Sequence, residues 1–129
     1  MTRKHLCRDK RAVSTVEMAL TLPILVVFLY GIFQVGAIMA ADAGMQHGLG
    51  EGARMATLFP TPADGAITSR ITAKSFSVDV GAFTAPTITT SANGKYKDMS
   101  ITYTVTPNFL FFNGPAVTMT RTKRVYLTT

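Results

Sequence analysis

KRAVSTVEMALTLPILVVFLYGIFQVGAIMAA, residues 10–41, opens on two basic residues and then holds a single acid, Glu17. From Met18 to Ala41 no side chain is charged; Thr21 and Gln34 are the clearly polar ones, and Tyr30 is amphipathic. As an α-helix this run spans about 36 Å, enough to cross a hydrocarbon core of roughly 30 Å. A buried soluble helix of that length carries a polar face, and this one has none. The stretch predicts one membrane-spanning helix. It also poses a question: why a carboxylate stands at its edge, a few residues after a basic cluster.

The flanks orient the helix. Arg3, Lys4, Arg8, Lys10 and Arg11 precede the run, against Asp9; Asp42 and Glu51 follow it, and Arg54 is the first basic residue beyond. An excess of Lys and Arg marks the cytoplasmic side, so the N-terminus is expected in the cytoplasm and residues 42–129 outside. The formal net charge of +6 divides evenly between the two flanks. The basic balance is thus partly a topology signal; no nucleic-acid motif accompanies it, and no nucleic-acid partner is expected. The one cysteine, Cys7, precedes the apolar run, so it is not a lipoprotein-type cysteine, and it reads as an inert thiol in a reducing compartment. The exported part has no cysteine and must be held by packing or by partners.

From Val13 to about Phe59 the chain reads as one long helical element, with a kink expected at Pro23, whose ring crowds the carbonyl of Ala19. Small residues recur every fourth place at Gly36, Ala40, Gly44, Gly48 and Gly52, then Ala56. On a helix they form a stripe that lets another backbone approach closely; read otherwise, the glycines only weaken the helix, by about 1 kcal/mol each relative to alanine. Pro60, Pro62, Asp64 and Gly65 end the helix and make a linker over 60–66.

Residues 67–129 read as a small β-rich domain. SFSVDV (75–80) places Phe76, Val78 and Val80 on one face. Asn93-Gly94 is a strong hairpin signal between strands near 86–91 and 97–106. A last strand alternates Val117, Met119, Arg121 and Lys123 against threonines, with a change of phase expected near Val125. Phe109, Leu110, Phe111 and Phe112 form an apolar knot suited to core filling, or else to an exposed partner patch. Arg121, Lys123 and Arg124 suit a solvated strand face, with acidic lipid heads or an acidic partner as the alternative. The expected fold class is α+β: a long N-terminal helix, transmembrane in its first half, with an antiparallel sheet of three or four strands packed on its exported half.

The opening stretch resembles a prepilin N-terminus, and more closely the TadE-like family of the tight-adherence (Flp-type) pilus machinery. Two places carry the resemblance. One is AVSTVEMALTLPILVVFLYGIFQVG, with Val16, Glu17, Met18, Ala19, Leu20, Leu22, Pro23 and the Tyr30-Gly31 step. The other is GEGARMA, Gly50 to Ala56. The resemblance implies a minor pilin or pseudopilin: a single-pass protein of the bacterial inner membrane, made with a basic leader over 1–12. A membrane prepilin peptidase would cut between Ala12 and Val13. Other pilin-like subunits and the pilus assembly machinery are its implied partners. Ala12 stands where glycine is commoner in the family, and Met18 replaces a frequent aromatic.

With the leader removed, Glu17 acquires a rationale. A carboxylate within lipid costs about 3 kcal/mol at the helix centre. Four residues past Val13 it lies about 6 Å along the helix. The helix N-terminus offsets about 0.3–1 kcal/mol of the cost. The ammonium freed on Val13 of a neighbouring subunit would offset more, in a pair that is strong only when shielded from water. Glu17 would then be an assembly group with no catalytic role. The plainer reading has it snorkel at the lipid–water boundary beside Lys10 or Arg11.

Enzyme chemistry finds no support. His5 and His47 fall on opposite sides of the membrane, no His, Cys and carboxylate cluster has metal spacing, and no nucleophile motif is present, so neither catalysis nor a cofactor is expected. His47 reads as a surface or interhelical residue, with pH sensing the lesser option. Two further architectures stay open. One is a secreted binding module released at ADAG, residues 41–44. The other is an uncleaved single-pass anchor that displays the β domain over 67–129 to a partner. In the pilin-like reading, residues 13–41 span the membrane and 42–59 continue the helix outside.

Overall fold

A computed structural model of the chain describes residues 10–78 and 81–127. The leader up to Asp9, with His5 and Cys7, lies outside the described residues, as does Val80; of Lys10, Arg11 and Ala12 the helical backbone is described.

Helix α1 runs from Lys10 to Ala56 without a break at Pro23. Its first half is apolar on every side. Its second half is amphipathic by size: Ala37, Ala41, Met45, Leu49, Ala53 and Ala56 fall on one buried face. The helix stops where Leu58 donates back to the Met55 carbonyl (3.2 Å) and Pro60 and Pro62 follow.

The expected linker gives way to a second helix, α2, Asp64–Lys74. The β-branched Ile67, Thr68, Ile71 and Thr72 favour extended structure when weighed residue by residue. Three features outweigh that. Asp64 in the first turn and Lys74 in the last suit the helix dipole. Ile67 and Ile71, four apart, form one apolar face that is wholly buried on α1. Packing of such a face, more than propensity, stabilises a helix this short. The strand expected over SFSVDV is also not seen in its described part: Ser75 caps α2 by donating to the Ile71 carbonyl (2.9 Å), and 76–78 have no regular structure.

The sheet is antiparallel throughout. Strand β3 (Tyr96–Val105) lies along β4 (Val117–Tyr126) on one side. Its other edge is shared by β2 (Thr87–Thr90) and the short β1 (Gly81–Phe83). Pro86, which has no N–H to donate, stands between β1 and β2. The Asn93-Gly94 turn joins β2 to β3, with Gly94 at φ +68°, the left-handed region that its position requires.

β3 alternates strictly. Lys97, Met99, Ile101, Tyr103 and Val105 face the helices and are buried. The register with β4 is unbroken from Tyr96↔Tyr126 to Val105↔Val117, so no change of phase occurs: Arg121, Lys123 and Val125 share the face of Val117 and Met119. The opposite face carries a threonine ladder, with Thr102–Thr120 hydroxyls 2.9 Å apart and Thr122 donating to Ser100 (3.2 Å). The core joins Met45 and Leu49 of α1, Ile67 and Ile71 of α2, and Met99, Ile101 and Tyr103 of β3. Each such side chain contributes roughly 1.5–3 kcal/mol relative to exposure.

The knot at Phe109–Phe112 does not fill this core. Leu110, Phe111 and Phe112 are exposed, and the β3–β4 loop instead lies along the apolar half of α1.

Candidate functional site

Beyond Ala41, each acid among the described residues is engaged by the fold. Asp42 of α1 accepts two bonds from Arg121 of β4, at 2.5 and 3.0 Å. Glu51 of α1 accepts from Arg70 of α2 at 2.6 Å. Asp64, at the start of α2, pairs with the buried Lys97 of β3. Asp98 accepts two bonds from Arg124, both 2.8 Å, and that guanidinium also sits 4.1 Å above the Tyr96 ring. Each pair ties one element to another. The arginine hydrogen bonds hold the carboxyls of Asp42, Glu51 and Asp98 below the usual carboxylate range. The basic residues of β4 therefore do not form a simple solvated patch: Arg121 and Arg124 point to opposite faces, and each meets an acid.

Glu17 stands apart. It is exposed, and its side chain has no ion-pair partner among the described residues; its backbone carbonyl accepts from the Thr21 hydroxyl (2.7 Å). Val13, Val16, Met18, Leu20 and Ile24 around it are all exposed as well. A carboxylate in a wholly uncovered apolar surface is the opposite of what water-soluble packing produces. Val13 and Glu17 lie four residues apart on one helix face, and the bond between Ala12 and Val13 lies inside the same helix.

The small-residue stripe divides into two parts. At Gly44 an added Cβ would collide with the Phe76 carbonyl. At Gly48 it would lie 2.9 Å from the Ile71 carbonyl, and at Gly52 it would run into the Ile71 side chain. These three glycines let α2 and the chain after it lie directly on α1. Gly36 has open space around it, and Ala40 is half-buried.

Toward the C-terminal end of the apolar run, Gln34 is buried and donates through Nε2 to the Asn108 carbonyl (3.1 Å); its Oε1 has no partner among the described residues. This link between the apolar half of α1 and the β3–β4 loop has no motif in the sequence to announce it. A lone glutamine in an apolar run was the available signal. Among the described residues no group of His, Cys, Asp and Glu is arranged to hold a metal, and His47 lies exposed with its ring 6.2 Å from Phe76.

No curated protein and no solved structure matches the chain. One long helix, apolar enough to cross a membrane, carries the isolated glutamate, and its second half carries the glycine face under α2. The stretch that joins these two features, residues 12–54, matches the family described as TadE-like protein.

Proposed function

We propose that the chain is a minor pilin-like structural subunit of a bacterial tight-adherence pilus or its secretion apparatus. Residues 13–41 anchor it in the inner membrane with the N-terminus in the cytoplasm. The leader over 1–12 is removed by a prepilin peptidase between Ala12 and Val13. Assembly then proceeds through the N-terminal helix, where the new Val13 ammonium of one subunit meets Glu17 of the next. The observation that carries this reading is the isolation of Glu17. Every described acid of the exported part serves the fold, whereas this one, on a helix face that no described residue covers, has no ion-pair partner among the described residues. An intramembrane acid is costly unless it meets a cation, so it marks a functional contact.

Cleavage requires the first helical turn to open, because a scissile bond inside a regular helix is not presented in extended form. Helix ends open at little cost. Release at ADAG is disfavoured on structural grounds. Cutting before Gly44 would strip the domain of buried Ala41 and of Asp42, the partner of Arg121. N-terminal sequencing of the membrane-extracted protein tests the processing step. A first residue of Val13 is expected; a start at Met1 or Thr2 would make it an uncleaved anchor, and a start at Gly44 a secreted module.

A further inference from the structure

The charge map of the exported domain stops at one level. On α1, no residue between Glu17 and Asp42 is charged; on the sheet, no residue from Met99 to Thr120 is. The two charge-free segments meet their first charges at the same place, because Asp42 and Arg121 are bonded to each other. β4 runs along α1, with Met119 beside Ile38 and Met39, and Lys123 beside Gln46 and Leu49. The β3–β4 loop, residues 106–116, therefore lies on the membrane side of that ion pair.

The loop continues down the helix. Asn108 is bonded to Gln34, the Phe109 ring lies where a Cβ on Gly31 would be 3.7 Å away, and Phe111 lines a shallow apolar groove with Pro23, Ile24, Val27 and Phe28. From Gln34 to Ile24 is about 15 Å along a helix, close to half of a hydrocarbon core. At the tip, Leu110, Phe111 and Phe112 are 53, 73 and 60% exposed.

Part of the backbone of this loop is satisfied within the loop itself, though the N–H groups of Phe112 and Asn113 have no partner among the described residues. Phe109 N–H donates to the Phe112 carbonyl, Phe111 N–H to the Phe109 carbonyl, Gly114 N–H to the Pro107 carbonyl, and Leu110 N–H to Asn108 Oδ1. Pro107 and Pro115 have no N–H to satisfy. Each polar group satisfied in this way lowers the cost of placing irregular backbone at the edge of hydrocarbon.

We propose that the β3–β4 loop is a wedge inserted among the acyl chains of the outer leaflet beside the spanning helix. The hydrocarbon boundary then lies near Gln34, and residues 35–41 are apolar because the sheet covers one side of them. In this arrangement the exported domain is held at a fixed tilt on the bilayer instead of swinging on the helix. The inference rests on the single-span reading above. The occupant is lipid because the charge-free level is shared by helix, sheet and loop, as a planar apolar layer requires.

The chain has no tryptophan, so Phe111→Trp places one indole at the loop tip. The full chain carrying it is reconstituted in phosphatidylcholine vesicles, with and without bromine atoms on the acyl chains. Resistance to a carbonate wash reports the span separately. The expected result is blue-shifted emission that brominated lipid largely extinguishes, equally at every dilution of protein into lipid. Tyr126→Trp, at the far end of β4, stays unquenched. Water-like emission from a washed, inserted protein overturns the wedge. So does a blue shift that fades on dilution, which would assign the patch to a second copy of the chain. Phe112→Trp repeats the measurement should the first variant fail to fold.

Discussion

At the scale of single residues, the acids divide by what they serve. Asp42, Glu51 and Asp98 are held below the ordinary carboxylate range, chiefly by the hydrogen bonds of Arg121, Arg70 and Arg124. Groups with depressed values bind protons less readily in the folded state than in the unfolded one. Their contribution is therefore present above about pH 4, the unfolded range, and is lost as pH falls through the depressed values. Near-ultraviolet dichroism of the tyrosines should accordingly weaken on acidification below about pH 4, and Asp42→Asn should remove part of that dependence. An identical acid profile for the variant would show that the Asp42–Arg121 pair contributes nothing to docking. Glycines divide in the same manner. Alanine at Gly44 gains about 1 kcal/mol of helix propensity, but its Cβ meets the Phe76 carbonyl, backbone that cannot rotate away. Overpacking of that kind costs typically 1–3 kcal/mol, so Gly44→Ala should lower the unfolding temperature. Gly36→Ala, with open space around it, should leave that temperature the same or slightly higher. A Gly44→Ala variant as stable as the parent would mean that α2 does not rest on this face.

Among the elements, α2 shows where the sequence was legible and where it was not. The apolar run, the small-residue spacing, the Asn93-Gly94 turn and the alternation of β3 each report a local or periodic requirement, and each is visible in a short window. The α2 stretch is different. Ala63-Asp64-Gly65 carries turn-forming residues, and the following Ile and Thr residues favour strands, so the local signals point away from a helix. What decides the matter is a long-range fit: Ile67 and Ile71 dropping onto the glycine face at Gly48 and Gly52. No single window contains both halves of that fit. The change of phase expected near Val125 does not occur: Val125 keeps the face of Arg121 and Lys123, in unbroken register with β3. If the docking of α2 carries the weight assigned to it, Ile71→Ala should cost about 2–5 kcal/mol. Denaturant unfolding of the full chain in detergent would measure it. A loss well under 1 kcal/mol would demote α2 to a surface appendage.

For the whole molecule, one helix has two unlike halves. Its second half is a scaffold whose every described acid is bonded across to another element. Its first half is apolar and broken by one carboxylate, and no described residue covers the surface around that carboxylate. The fold class was open to sequence reading because these halves differ so sharply in composition. The loop lying on the apolar half of α1 was not, because Phe109–Phe112 satisfies a core pattern equally well, and only the topology of β3 and β4 directs it there. In the proposed assembly Glu17 is reserved for a cation on a neighbouring subunit. The direct test is the amount of Glu17→Ala protein in purified pili, measured beside its amount in the membrane. Normal membrane levels, an intact C-terminal domain and loss from the pilus fraction are expected. Incorporation at the level of the unaltered protein would show that Glu17 has no such role.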